Sequence, residues 1–218
     1  MPVITPSSQS AIALIRHGVI DYEKAWQVQR NIHAEVVSGA RPNTLLLLEH
    51  PSVYTAGRRT LDSEKPQDGT PVIEVDRGGK ITWHGPGQIV GYPIVKLANP
   101  HELVGFVREI EAGLINVCSE LGIDATCVSG RSGVWVRDEK GDRKIAAIGI
   151  RVTQGVTMHG FALNVSPDLT NFTRIIPCGI ADAQVTSIEK ELDRSVNITE
   201  VLPLVEQFIF ESLRKVSA

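Results

Sequence analysis

With 42% hydrophobic and 22% charged residues over 218 positions, the chain has the composition of an ordinary soluble globular protein and is long enough to bury a sizeable core. A formal net charge of −3 is too near zero for a nucleic-acid binder or a protein drawn to anionic membranes, and no apolar run approaches the length of a membrane span. Three cysteines without regular spacing fit a reducing cytoplasm better than a disulfide framework.

The opening residues, M-P-V-I-T-P-S-S-Q-S, lack the basic and apolar regions of a secretory signal and read as a flexible tail over 1–10, ahead of one domain over 11–218. Asp21–Ser38 is predicted helical, with Asp21 as N-cap, Gly39 as stop, and Tyr22, Ala25, Ile32 and Val36 on its inner face. The continuous leucines of Thr44–Glu49 predict a fully buried strand. Ser63–Thr70, with Pro66 and Gly69, reads as a loop. Val72–Val75 and Ile89–Val95 read as two strands joined by a glycine-dense connection.

His101–Leu121 is predicted as a long helix with Leu103, Val107, Ile110, Leu114, Val117 and Leu121 along one face and Gly122 at its end. Three strand-like runs follow, Gly133–Arg137, Lys144–Val152 and Val156–Val165, separated by turns at Asp138–Asp142 and Gln154-Gly155. Asp182–Leu192 reads as a loop leading into a short helix. Asn197–Val216 reads as an amphipathic helix, capped by Thr199, with Pro203 near its first turn and Leu202, Val205, Phe208 and Ile209 inward. Helices combined with hairpin-paired strands predict an α+β domain on a mixed, mainly antiparallel sheet flanked by helices.

Arg77–Gln88, R-G-G-K-I-T-W-H-G-P-G-Q, concentrates the unusual chemistry. Glycine there lets backbone N–H groups approach a ligand that a Cβ would hold away. Cys178 lies in I-I-P-C-G-I, between a stiffening proline and an opening glycine, which presents it on a turn. Cys118 sits on the apolar side of the long helix, and Cys127 in a short apolar run; both read as small buried hydrophobes. A nucleophilic thiol needs a cation or base nearby, and His84, His159 and Lys144 are all eligible. Lys144 opens the apolar run K-I-A-A-I-G-I; a lysine at such a strand mouth is ordinarily a solvated edge charge. The six histidines show no metal-ligand spacing, and neither a phosphate loop nor a dinucleotide fingerprint is present, so no metal and no nucleotide cofactor is expected.

The run Arg77, Gly78, Gly79, Thr82, His84, Gly85, Gly87, Gln88, then Val90, Tyr92 and Pro93, resembles the signature of the octanoyltransferases that begin protein lipoylation, also called lipoyl(octanoyl) transferases. The likeness runs from about Arg16 to the last helix. It implies a fold similar to the catalytic domain of biotin and lipoate ligases, and a single catalytic acyltransferase domain over 11–218. It also implies a catalytic pair, Cys178 in its P-C-G context and Lys144 before A-A-I-G. The substrate-binding residues it implies are Arg77, Gly78, Gly79, Lys80, Ile81, Thr82, Trp83, His84, Ala147, Ile148, Gly149, Gly160, Phe161 and Ala162. Backbone amides around Gly79, Gly149 and Gly160 would meet the oxyanion. The bland reading of A-A-I-G and G-F-A is a tight contact between neighbouring strands.

The implied activity is transfer of an octanoyl group from octanoyl-acyl carrier protein to a lysine of lipoyl domains of 2-oxoacid dehydrogenase complexes or of the glycine cleavage H protein. It would need no cofactor and take place in the cytoplasm. Arg58, with Arg59, Lys80 and Arg143, would form a basic rim toward the carrier. An ATP-dependent lipoate or biotin ligase would use the same arginine-glycine motif but leave Cys178 idle. A non-catalytic carrier-binding module would leave Cys178 no more reactive than Cys118.

Overall fold

The computed structural model describes residues 12–99, 101–175 and 184–218. The expected tail over 1–10, Pro100, and the segment 176–183 that contains Cys178 and its flanking Pro177 and Gly179 lie outside the described residues. Eleven strands and four α-helices are described: β1 (Ala13–Val19), α1 (Tyr22–Ser38), β2 (Thr44–Glu49), β3 (Val53–Ala56), β4 (Val72–Glu74), β5 (Thr82–His84), β6 (Gln88–Ile94), α2 (Leu103–Glu120), β7 (Ala125–Val128), β8 (Arg131–Asp138), β9 (Gly141–Thr153), β10 (Val156–Asn164), β11 (Gln184–Val185), α3 (Ile188–Leu192) and α4 (Ile198–Val216).

The main sheet runs β1-β2-β6-β10-β9-β8-β7, with β11 added on β9. Its β1–β2 and β11–β9 pairs are parallel and the rest antiparallel, so the sheet is mixed and mainly antiparallel, as the sequence predicts. The helices α2 and α4 cover one face. Ile110, Leu114, Val117, Val205, Ile209 and Leu213 are wholly buried there, each worth roughly 1.5–3 kcal/mol relative to exposure. Gly113 permits the close approach: a Cβ on it would stand 2.8 Å from Ser212 Oγ and 3.0 Å from the Phe208 carbonyl. The other face is shared by α1 and a small sheet, β4-β3-β5.

α1 forms as its sequence dictates. The Asp21 carboxylate accepts from the Glu23 and Lys24 amides, at 3.1 and 3.2 Å, and Gly39 ends the helix at φ 77°. The β9–β10 hairpin turns on Gln154 and Gly155, both at positive φ, the geometry that matches strand twist.

Several expectations are corrected. Val72–Glu74 and Gln88–Ile94 are strands as read, but more than a glycine-dense connection lies between them. The former lies in the small sheet and the latter in the main one, with the unforeseen β5 between them pairing with β3. At the start of α4 the cap is Asn197, whose N–H donates to Glu200 Oε1 at 3.2 Å, and Thr199 lies inside the helix. Pro203 lies inside the same helix, beyond its first turn. Cys127 is exposed, whereas Cys118 is buried as expected, and burial pushes its thiol up to about 12.

Candidate active site

A cavity of about 230 Å³ opens on the α1 face of the main sheet, beneath the Arg77–His84 segment. Its floor follows from strand alternation. Ala147 pairs with Ala162, and Gly149 with Gly160, across β9 and β10. Residues at these four positions turn toward the cavity, and none carries more than a methyl group, so the sheet face is hollowed there. Neighbours of opposite parity, Ala146, Ile150, Phe161 and Leu163, pack into the α2–α4 core.

The glycines also serve backbone contact, as the bland reading held. A Cβ on Gly160 would sit 1.9 Å from the Gly91 carbonyl oxygen, and one on Gly149 would sit 3.0 Å from that of Gly78. Gly149 therefore lets the arginine-glycine segment rest on the sheet, where the Gly78 amide donates to the Ile150 carbonyl at 3.1 Å.

Arg77 holds that segment in shape. Its guanidinium, almost wholly buried, donates to Thr55 O (2.7 Å), Thr55 Oγ1 (2.9 Å), Lys80 O (2.8 Å) and Gly78 O (3.1 Å). The rigid fork fits several carbonyls at once, which a lysine cannot do. Gly57 makes room for it, since a Cβ there would lie 2.7 Å from the same guanidinium. Among the described residues nothing accepts from the N–H of Gly79, which sits at φ 86° on the cavity wall.

Alternation sorts the following residues. Lys80, Thr82 and His84 line the cavity, while Ile81 and Trp83 turn away into a core with Tyr54, Phe172 and Ile175. Gly78 and Arg58 do not line it, whereas Gly79, Arg59, Ala147, Ile148, Gly149, Gly160, Phe161 and Ala162 do. The basic rim is smaller than expected. Arg143 is buried and binds the carboxylates of Asp138 and Glu191, and Lys80 pairs with buried Glu64; Arg58 and Arg59 remain exposed.

Three buried histidines stand along one end. His50 is held neutral, its pKa lowered by burial to about 4. A carbonyl can only accept, so His50 Nδ1–H donates to Ile20 O (2.7 Å) and Nε2 accepts from the Tyr92 hydroxyl (2.7 Å). His84, held well below its ordinary value by burial and by nearby His50 and Arg77, donates from Nδ1 to Gln88 Oε1 (3.2 Å) and stacks on Tyr22. Gln88 is itself oriented by donating to Asn164 Oδ1 at 2.9 Å.

His159 has a left-handed backbone, φ 59°, in the middle of β10. Opposite it β6 carries Pro93, and the His159 amide donates to Gln29 Oε1 at 2.9 Å. The ring donates from Nε2 to Asp76 Oδ1 at 2.7 Å, and Asp76 also binds Arg151. Burial, reinforced by Arg77, Arg151 and Arg30, lowers His159 to about 3. His50, Tyr22, Gln29 and Asp76 had no functional signal in the sequence, and only their convergence reveals them.

Lys144 occupies the other end. It is 7% exposed, with its ammonium 4.5 Å above the Trp135 ring, a cation–π contact. Among the described residues no carboxylate pairs with it. It pairs in register with Val185, which follows Cys178 in the chain. Among the described residues no group of three or more histidine, cysteine or acidic side chains could hold a metal ion, and no helix is long and apolar enough to cross a membrane.

Residues 21–210 match the family model described as lipoyl protein ligase A/B catalytic domain. The octanoyltransferase of Acidothermus cellulolyticus is 60% identical over 93% of this chain and 92% of its own length, and that of Salinispora tropica 57% identical over 91% and 94%. Among solved structures, a bipartite lipoate protein ligase of Thermoplasma acidophilum superimposes with a TM-score of 0.71 at 15% identity, covering 92% of this chain and 83% of that one. A lipoate-protein ligase A bound with ATP gives 0.67 at 15% identity over 94% and 85%, and the biotin protein ligase of Aquifex aeolicus 0.50 at 14% over 94% and 68%. Those distant likenesses establish the fold, and the near relatives establish the rest: the chain belongs to the octanoyltransferase family and is an acyltransferase.

Proposed function

We propose that this single catalytic domain carries an octanoyl group from octanoyl-acyl carrier protein to the ε-amine of a lysine in lipoyl domains of 2-oxoacid dehydrogenase complexes or the glycine cleavage H protein, in the cytoplasm, through a thioester on Cys178. The observation that supports it is Lys144: a largely buried lysine at one end of a small-residue cavity, with its ammonium over an aromatic ring and no carboxylate partner among the described residues. A cation turned into a cavity without a carboxylate partner favours an anion beside it. In this reading the anion is the Cys178 thiolate.

The thiolate attacks the donor's thioester carbonyl. The carbon–sulfur bond to the carrier breaks, the carrier sulfur takes a proton from Lys144, and the octanoyl group stays on Cys178. The neutral amine of the acceptor lysine then attacks, its proton passes to Lys144, and the Cys178 thiolate leaves an amide behind. The Gly79 N–H, unclaimed among the described residues and facing the cavity, is the amide best placed for the oxyanion, ahead of Gly149 and Gly160, which are bound up in strand contact. Arg77, by contrast, acts through the shape of the segment it braces. No nucleotide is needed for a thioester-to-amide exchange.

Intact-mass measurement after mixing with octanoyl-carrier protein tests this reading. One octanoyl adduct, removed by hydroxylamine, abolished by Cys178→Ser and kept by Cys118→Ser, is expected. Full turnover by Cys178→Ser, or an adduct that requires ATP, would overturn it in favour of a ligase.

A further inference from the structure

Simple alternation along β9 would not bring Lys144 to the cavity. Ala147 and Gly149 face the cavity and Ala146 and Ile150 face the α2–α4 core, so position 144 should share the core side with 146. The pairing with β8 shows how it escapes. Ala146 pairs with Val134 and Lys144 with Trp135, so β9 spends three residues where β8 spends two, and Ile145 is the additional one. A one-residue slip reverses the facing of everything beyond it. Ile145 joins Ala146 in the core, and Lys144 crosses to the cavity, over the ring of its own partner Trp135.

The irregularity has a built support on the β8 side. Gly133 stands at φ 113°, and a Cβ on it would lie 2.5 Å from the Ala146 carbonyl oxygen and 3.3 Å from Lys144 Cε. Its N–H, next to the Val134–Ala146 pair, donates at 2.9 Å to Oε1 of Glu111. Glu111 is 1% exposed, on the face of α2 that otherwise packs Ile110, Leu114 and Val117, and its other oxygen binds Arg108. A carboxylate in such a place costs several kcal/mol of desolvation, which its bonds from Gly133 and Arg108 offset.

We infer that Glu111, through the Gly133 amide, is a positioning residue for Lys144: it holds the β8–β9 bulge that turns the lysine into the cavity. This rests on the reading of Lys144 as the partner of Cys178, and the test separates the two. The readouts are alkylation of the Cys178 peptide across pH, followed by mass spectrometry, and kcat and KM for octanoyl transfer, in the full chain.

Glu111→Leu is expected to raise the alkylation midpoint toward that of Lys144→Met and to lower kcat by about tenfold or more with little change in KM. Glu111→Gln, whose carbonyl still accepts from Gly133, should keep both near the parent. Leu114→Ala, a core truncation on the same helix, should lose stability without moving the midpoint. If Glu111→Leu does not fold, Glu111→Asp, which withdraws the acceptor by one methylene, takes its place. The inference is overturned if Glu111→Leu, or Glu111→Asp in its place, moves the midpoint no further than Leu114→Ala while Lys144→Met moves it. If Lys144→Met itself leaves the midpoint in place, the underlying reading of Lys144 fails.

Discussion

Acidification should destabilise this protein well before its carboxylates titrate, because His50 and His159 are buried in neutral form. Their folded pKa values lie at about 4 and about 3, below the ordinary 6.5. The unfolded chain therefore binds a proton at each site between those limits while the folded chain does not, so the stability they confer is complete above about pH 6.5 and is lost as pH falls toward 4 and 3. Between pH 7 and pH 5 the linkage amounts to about 2 kcal/mol for each histidine. His84, lowered in the same direction, adds to the loss.

Urea unfolding at both pH values measures it, and His50→Gln isolates one site. At pH 7 the variant should lose about 1–2 kcal/mol for the Ile20 and Tyr92 hydrogen bonds, and its difference between pH 7 and pH 5 should be about 2 kcal/mol smaller than that of the parent. An unchanged pH difference in His50→Gln would refute the neutral buried imidazole. A parent more stable at pH 5 than at pH 7 would refute the whole linkage.

Arg77→Lys should lower stability by about 2–3 kcal/mol in denaturant titration and with it the acyl-transfer rate, because a lysine cannot reach the Thr55, Gly78 and Lys80 carbonyls together. Gly160→Ala should cost more than about 3 kcal/mol, since the atoms it meets are backbone and a proline ring, whereas Gly39→Ala, at positive φ in open space, should cost about 1–2 kcal/mol; the two melting temperatures check the order. Alkylation without denaturant should label Cys127 readily and leave Cys118 untouched until the protein unfolds, as peptide mass spectrometry would show. Arg58→Glu should raise KM for carrier-bound octanoate in a salt-dependent way and spare a small octanoyl thioester, while Arg59→Glu, on the cavity wall, should impair both.

What the sequence by itself determined is local. Asp21 and Gly39 bound α1 because caps act over a few residues, and Thr44–Glu49 reads as buried because its leucines leave it no polar face. The β9–β10 hairpin is written in Gln154-Gly155, and the arginine-glycine motif stands out by composition alone. Only the tertiary structure decided which strands meet, and that is where the site comes from. The strand Val72–Glu74 and the strand Gln88–Ile94 are close in sequence yet enter different sheets, since pairing is settled by partners far along the chain. The role of Arg77 depends on Thr55, and the neutrality of His50 on Tyr92 and Ile20. The facing of Lys144 depends on one additional residue, Ile145, between the Val134–Ala146 and Trp135–Lys144 pairs, and alternation read along β9 alone would have put it on the wrong side of the sheet. Periodicity is a property of a segment, but a bulge, a buried proton equilibrium and a cavity are properties of what packs against it.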